Sequence, residues 1–517
     1  MRHVNTEVIY QIYPLTFNYA SGSKTDPYKG AYGNLKGITA LADYVKSLGV
    51  DTIWITPFYP WGGYGFGYDI TNYCAIDPMY GDVDDFKELC DVYHAKGIKI
   101  IIDQVYNHCS IKHEWFRKSV EKVKPYDEFF IWADPKMHND KLSPPNNWIS
   151  TWDSIGERAW TFHPERAQYY MHSFDWSMPN LNLNNKIVQD EILKISKFWF
   201  DLGVDGFRLD AVTHYACDEQ LRDNPVYDNG YQVRLYDINS PNGALFINRL
   251  KSLCDSYSTP KTLLAEYWYD KSVAGFEKAR QIISSSRCDA FFTGALNSSI
   301  NTFKGNIIED LSVSPYGEKL NWALSNHDLE RVTTRLFGDG YNIKKARLLM
   351  DMLLTLPGSI CIYQGEELGL PKPKSIEACK NPDNDPLNVW ASCNKVWDAC
   401  RAGFAISDAK DDPSRNFALH PDDELYKYAV SNQIGLISML ETTKRLIKNR
   451  KESVFGQLGS MYFVDTYRDD VVAYVRTNVS ESERVLCIYN FSNDSVSVCY
   501  DGQKYCLYPE SVKKCRL

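Results

Sequence analysis

The sequence predicts an α/β fold: a (β/α)8 barrel with an inserted lid subdomain after strand three and a C-terminal antiparallel β-sandwich domain. Three observations predict it. Eight short β-rich runs alternate with amphipathic segments, at residues 8–13, 51–56, 98–105, 203–211, 262–268, 289–293, 321–325 and 359–363. Most are continuously apolar, as strands buried on both faces of a parallel sheet must be. Strand–helix alternation repeated eight times argues for a closed barrel.

The elements follow in order. Amphipathic stretches at 35–48, 83–95, 186–202, 244–256 and 343–355 supply barrel helices. Residues 106–182 break the repeat. They are rich in Trp, Pro, Asn and Asp and weakly periodic, so they are expected to form a subdomain at the C-terminal face of the barrel. From about Phe455 the chain alternates (VVAYVRT, RVLCIYNF, VSVCYDG), which reads as antiparallel strands. The expected domains are the barrel at 1–105 and 183–454, the insertion at 106–182 and the β domain at 455–517. The basic run from Lys444 to Lys451 reads as the polar face of a late helix.

Composition excludes some functions. With 57 Lys and Arg against 66 Asp and Glu, the formal net charge is −9, which disfavours nucleic-acid and anionic-membrane partners. No apolar run approaches the roughly 18–20 residues of a membrane span. The N-terminus shows no signal-peptide pattern, so a cytoplasmic location is expected. The 14 cysteines lack zinc-ligand spacing and are expected to be reduced and mostly buried. Aromatics reach 14%, which suits a large core and also a carbohydrate site, where sugar rings lie on aromatic faces.

Barrel catalytic groups stand at C-terminal strand ends. Strand three ends in Asp103-Gln-Val-Tyr-Asn-His108, strand four in Gly206-Phe-Arg208-Leu-Asp210, strand five in Ala265-Glu266-Tyr-Trp268, and strand seven in Ser325-Asn326-His327-Asp328. Arg208 and Asp210 are two apart and share a face, so the guanidinium is expected to hold that carboxylate ionised. Glu266 lies beside Ala265, Tyr267 and Trp268, apolar neighbours that would suit a protonated acid. One ionised and one protonated carboxyl is what cleavage of a glycosidic bond needs.

DQVYNH, GFRLDAVTH, AEYW and SNHD resemble the four signature regions of glycoside hydrolase family 13, the α-amylase family. MPNLN (178–182), GYDITNYCAIDPMYG (67–81) and YQGEELGLP (363–371) resemble further segments of it. The stretch 133–174 resembles the lid of its α-glucosidase and oligo-1,6-glucosidase branch. The resemblance implies a retaining enzyme acting on short α-glucosides. It makes Asp210 the nucleophile, Glu266 the general acid/base, and Asp328 a ligand of the sugar's 2- and 3-hydroxyls. Arg208 would orient Asp210, and His108 and His327 would hydrogen-bond the sugar. Tyr68 would stack beneath it, with Asp103 supporting the pocket from behind.

Two departures stand out. Such α-glucosidases usually carry an acid three residues before the stacking tyrosine; here that residue is Gly65. The segment 393–398 is altered as well. The pocket is therefore expected to be open or differently lined there, for an unusual glycone, a longer chain or a modified sugar. Relatives often bind Ca2+ in the loop after strand one. Here residues 18–30 offer one acid, Asp26, and two cations, Lys24 and Lys29, so no metal or other cofactor is expected. Alternatives are a transglucosylase or isomerase of the trehalose-synthase or sucrose-isomerase type, and a non-catalytic sugar-binding or transporter-associated relative. The expected partner is a short oligosaccharide or disaccharide; oligomeric state is left open.

Overall fold

The structure is a computed structural model. It describes the chain except residues 1–3, 26, 28–31, 66, 139–140, 152–157, 268–271, 295, 297–298, 339–341, 373–399, 402, 404 and 408–424. Eight parallel strands close into a barrel: β1 (Val8–Ile12), β2 (Thr52–Ile55), β3 (Lys99–Gln104), β4 (Gly206–Leu209), β5 (Thr262–Glu266), β6 (Ala290–Phe292), β7 (Leu320–Ala323) and β8 (Ser359–Tyr363). Their order around the barrel is the chain order, with β8 returning to β1. All eight expected runs contain a strand, each within a few residues of its predicted ends.

The chain folds as two compact units. One comprises residues 1–56, 78–100 and 292–517, and the other 57–77 and 101–291. In the first unit β1, β2, β7 and β8 are buried along their whole lengths. The helix expected over 35–48 is two helices, Leu35–Ala40 and Ala42–Leu48, broken at Leu41. Asn34 caps the first of them, its side chain accepting from the Gly37 N–H at 2.7 Å. Helix Val83–Ala95 opens with a capping box between Asp82 and Asp85.

The tail forms a four-stranded antiparallel sheet in the order Met461–Val464, Val471–Thr477, Arg484–Asn490, Ser511–Arg516, with a separate hairpin Val496–Tyr500/Gln503–Leu507. Val471, Ala473, Val475, Leu486 and Ile488 pack with hairpin residues Val496, Val498, Tyr505 and Leu507 into one core, so alternate side chains of the two sheets face each other. Fully buried Arg476 donates to the carbonyls of Thr355, Ser460, Thr477 and Gln457, satisfying loop carbonyls that would otherwise be dry.

In the second unit, Gly206 opens β4 for a steric reason. A Cβ there would lie 2.5 Å from the Thr262 carbonyl oxygen of β5, so only glycine allows that approach. Between β3 and β4 the chain forms helix Glu114–Val120, a three-stranded sheet (Trp132–Ala133, Gln168–Met171, Trp160–His163) and a hairpin (Lys136–His138/Lys141–Ser143). Its core centres on Trp148 and Trp160, whose rings stack at 5.9 Å.

Candidate active site

In the second unit, the register pairs Asp103 of β3 with Arg208 of β4, so the two side chains leave the sheet on one side. Arg208 is fully buried. Its Nη1 donates to Asp103 Oδ1 at 2.8 Å and to Asp210 Oδ1 at 2.6 Å, while Nη2 pairs with Glu266 Oε2 at 2.9 Å. Tyr68 O–H donates to Asp103 Oδ2 at 3.0 Å. Asp210 stands just past the end of β4, and its N–H still donates to the Gln104 carbonyl at 3.0 Å. The next residue, Ala211, adopts a left-handed conformation with φ 48° and ψ 41°. For a residue with a Cβ this costs about 1 kcal/mol or more. It turns the Ala211 N–H onto Glu266 Oε2 at 2.9 Å.

This corrects one expectation. Glu266 does not sit among apolar groups alone: the guanidinium and an amide N–H both bind its carboxylate. Tyr267 is buried against Phe291, and Trp268 lies outside the described residues. The expectation for Asp210 is corrected too. Burial, with Glu266 and Asp103 as like-charged neighbours, outweighs Arg208 and pushes its carboxyl well above the usual range. Burial likewise pushes Asp103 up to about 6 against the pull of Arg208. Asp103 and Glu266 crowd Asp210 in a cage around one guanidinium, so ionising Asp210 beside them is costly.

A pH prediction arises here. Loss of the Asp103 charge, its carboxyl pushed up to about 6, is expected to give kcat/KM an acid limb near pH 6. The Asp103 charge raises Asp210, so Asp103→Asn is expected to move that limb to lower pH in the residual activity. A limb that stays in place or moves up would contradict the cage. A carboxyl whose pKa is raised by folding adds stability below its unfolded pKa, and that stability is lost as pH rises through about 6.

His108 is buried, its ring edge-on to Phe174 at 5.3 Å. Burial lowers it to about 3, so it acts as a neutral hydrogen-bonding group. Asn107 Nδ2 lies 3.2 Å from His108 Nδ1, which places the ring proton on Nε2. Phe174 also packs on His214 at 4.9 Å, a second buried imidazole that bonds Thr151 Oγ1 at 2.9 Å and Thr213 Oγ1 at 3.0 Å. His214 was quoted within its motif but given no part by the sequence reading.

The first unit holds the other two predicted residues. Buried His327 takes Gln11 Nε2 on its Nδ1 at 2.7 Å, and its Nε2 faces Asp328 Oδ2 at 3.2 Å. Tyr13 stacks along the ring, centroids 6.3 Å apart at 11°. Arg401 donates from Nη2 to Asp328 Oδ1 at 2.8 Å and from Nε to the His327 carbonyl at 2.9 Å. Sequence reasoning missed Arg401, which no local pattern connects to a carboxylate 73 residues earlier. Behind them, Glu366 binds the Ser325 hydroxyl and the Tyr363 N–H, and Glu367 receives Tyr10 and Tyr44 hydroxyls at 2.7 Å.

Gly65 is differently lined rather than open. A Cβ built on it would lie 2.6 Å from Cε of Met178, so that methyl fills the space an acid would need. Asp69, also missed, pins this loop: its carboxylate accepts from the Gly65 N–H at 2.8 Å and the Tyr64 N–H at 3.2 Å. The altered segment 393–398 lies outside the described residues, as do Asp26 and Lys29. In the loop after β1, Lys24 pairs with Asp84 at 2.6 Å and the Ser23 hydroxyl binds Asp85. Among the described residues no group of three His, Cys, Asp or Glu side chains is placed to hold a metal.

A parallel barrel that gathers three carboxyls on one arginine at adjacent strand ends has the acids a glycosidase needs. The model of the alpha amylase catalytic domain matches residues 11–459, and the chain belongs to this family. A probable alpha-glucosidase of Rhizobium meliloti (strain 1021) is 33% identical over 518 residues, covering 95% of this chain and 89% of the relative. The trehalose-6-phosphate hydrolase of Escherichia coli (strain K12) is 34% identical over 415 residues, 74% of this chain and 69% of that one. The solved structure of an alpha-glucosyl transfer enzyme superposes with a TM-score of 0.85 at 33% identity, covering 99% of both chains.

Proposed function

We propose that the protein is a retaining hydrolase of short α-glucosides that works by double displacement. The observation that carries this is the bridging of Asp210 and Glu266 by Arg208, at 2.6 and 2.9 Å. Sharing one guanidinium keeps the two carboxyls close together, which supports the short spacing of about 5 Å that retaining enzymes use. In the first step an Asp210 oxygen bonds the anomeric carbon while the glycosidic C–O bond breaks and Glu266 protonates the departing oxygen. In the second, Glu266 takes a proton from water as its oxygen replaces Asp210. Arg208 and the Ala211 N–H orient the two acids.

The family resemblance assigns Asp328, His327 and His108 to the sugar hydroxyls, Tyr68 to the ring face and Asp103 to the support of the pocket from behind. The hydrogen bond from Tyr68 to Asp103 and the hold of Arg401 on Asp328 are consistent with those parts. No metal enters this reading; Lys24 already provides a cation at Asp84 in the loop where relatives bind one. We place the enzyme in the cytoplasm, a reading supported by the absence of disulfides among the described cysteines. No described helix is long and apolar enough to cross a membrane.

Incubation with p-nitrophenyl α-glucoside, maltose, sucrose and isomaltose, followed by proton NMR from the first minutes, is expected to show α-glucose formed first. β-Glucose as first product, or no turnover of any of the four, overturns the reading. The likeness to an alpha-glucosyl transfer enzyme favours a second reading, in which a sugar hydroxyl replaces water in the second step. A new glucoside formed with little free glucose would establish it.

A further inference from the structure

We infer that Tyr64, Trp176 and Lys112 form a second sugar subsite on the glycone side of the pocket, so that the enzyme holds a disaccharide unit rather than a single terminal sugar. This rests on the reading above. Tyr64 and Trp176 are large aromatic side chains left 44% and 47% exposed. Their rings lie 5.6 Å apart at 61°, an edge-on pair. Lys112 Nζ sits 4.9 Å over the Tyr64 ring and is held by the Gly62 carbonyl at 2.6 Å.

The backbone beneath both rings is fixed, unlike that of a casual surface aromatic. The Trp176 carbonyl accepts from Tyr170 O–H at 2.8 Å, and Asp175 accepts from the Ser177 N–H at 2.9 Å and binds its hydroxyl. The Tyr64 N–H is held by Asp69. Such rings on an anchored backbone, beside an ammonium that can donate to hydroxyls, match the apolar face and polar edge of a pyranose.

Position ties this ledge to the pocket. Trp176 lies two residues from Phe174, which packs on His108, and two from Met178, whose methyl closes the space at Gly65. Tyr64 adjoins Gly65, whose carbonyl accepts from the Tyr68 N–H at 2.9 Å. Strand order gives the side. Glu266, which protonates the leaving group, comes from β5, whereas the ledge comes from the loops after β2 and β3, across β4. The ledge is therefore on the side away from the departing group.

The test uses p-nitrophenyl α-maltoside and p-nitrophenyl α-isomaltoside, with p-nitrophenyl α-glucoside as reference. Turnover of the reference reports the catalytic reading; products of the extended substrates report the subsite. We expect direct release of p-nitrophenol with an intact disaccharide from at least one of them. Glucose plus p-nitrophenyl α-glucoside as the only products, or no turnover of either while the reference is cleaved, overturns the subsite. Trp176→Ala and Tyr64→Ala are each expected to lower the ratio of kcat/KM for the extended substrate over the reference about tenfold. An unchanged ratio in both variants overturns it as well.

Discussion

Asp210→Asn is expected to lower kcat/KM on every accepted α-glucoside by on the order of 10^5-fold, while the protein keeps its fold. The amide is nearly isosteric and still accepts from Arg208, so loss of the attacking oxygen is the main change. Steady-state kinetics on p-nitrophenyl α-glucoside, with circular dichroism to verify folding, measures this. Turnover within tenfold of the parent would remove Asp210 as nucleophile.

Arg208→Met is expected to abolish turnover and to destabilise the protein by about 3–5 kcal/mol at neutral pH, because it strips a cation paired with three buried acids. Arg208 contacts Asp103, Asp210 and Glu266 together. Without it the folded-state carboxyl pKa values rise further. Raised carboxyls favour the fold only while protonated, so the deficit is expected to grow from pH 5 to pH 8. Urea denaturation of both proteins at the two pH values checks the sign; equal deficits would mean that Arg208 serves packing rather than charge.

The barrel was legible because each strand is a short apolar run that needs no distant partner to be recognised. The strand-end residues were legible too, since period-two spacing alone puts Arg208 and Asp210 on one face. What surrounds them was not. The contact of Glu266 with Arg208 depends on the register of β5 against β4, and its contact with the Ala211 N–H on a left-handed residue that alanine does not advertise. Arg401 reaches Asp328 across chain that carries no pattern. The sheets of the insertion were missed because their strands span two to four residues and are held by aromatic packing such as Phe116 on Trp132, too short for any periodicity to register. The role of Met178 at Gly65 appears only when the two loops are placed side by side.

Arg208 has an evolutionary consequence. Acids from three successive strands depend on one side chain, so a change at any of them alters the charge borne by the other two. Drift at this cage is therefore coupled: a substitution at one acid retunes the others with it. Met178 and Trp176 share no partner with the cage among their contacts described above. A lineage can remodel that rim, and with it the length of sugar accepted, while the cage stays untouched.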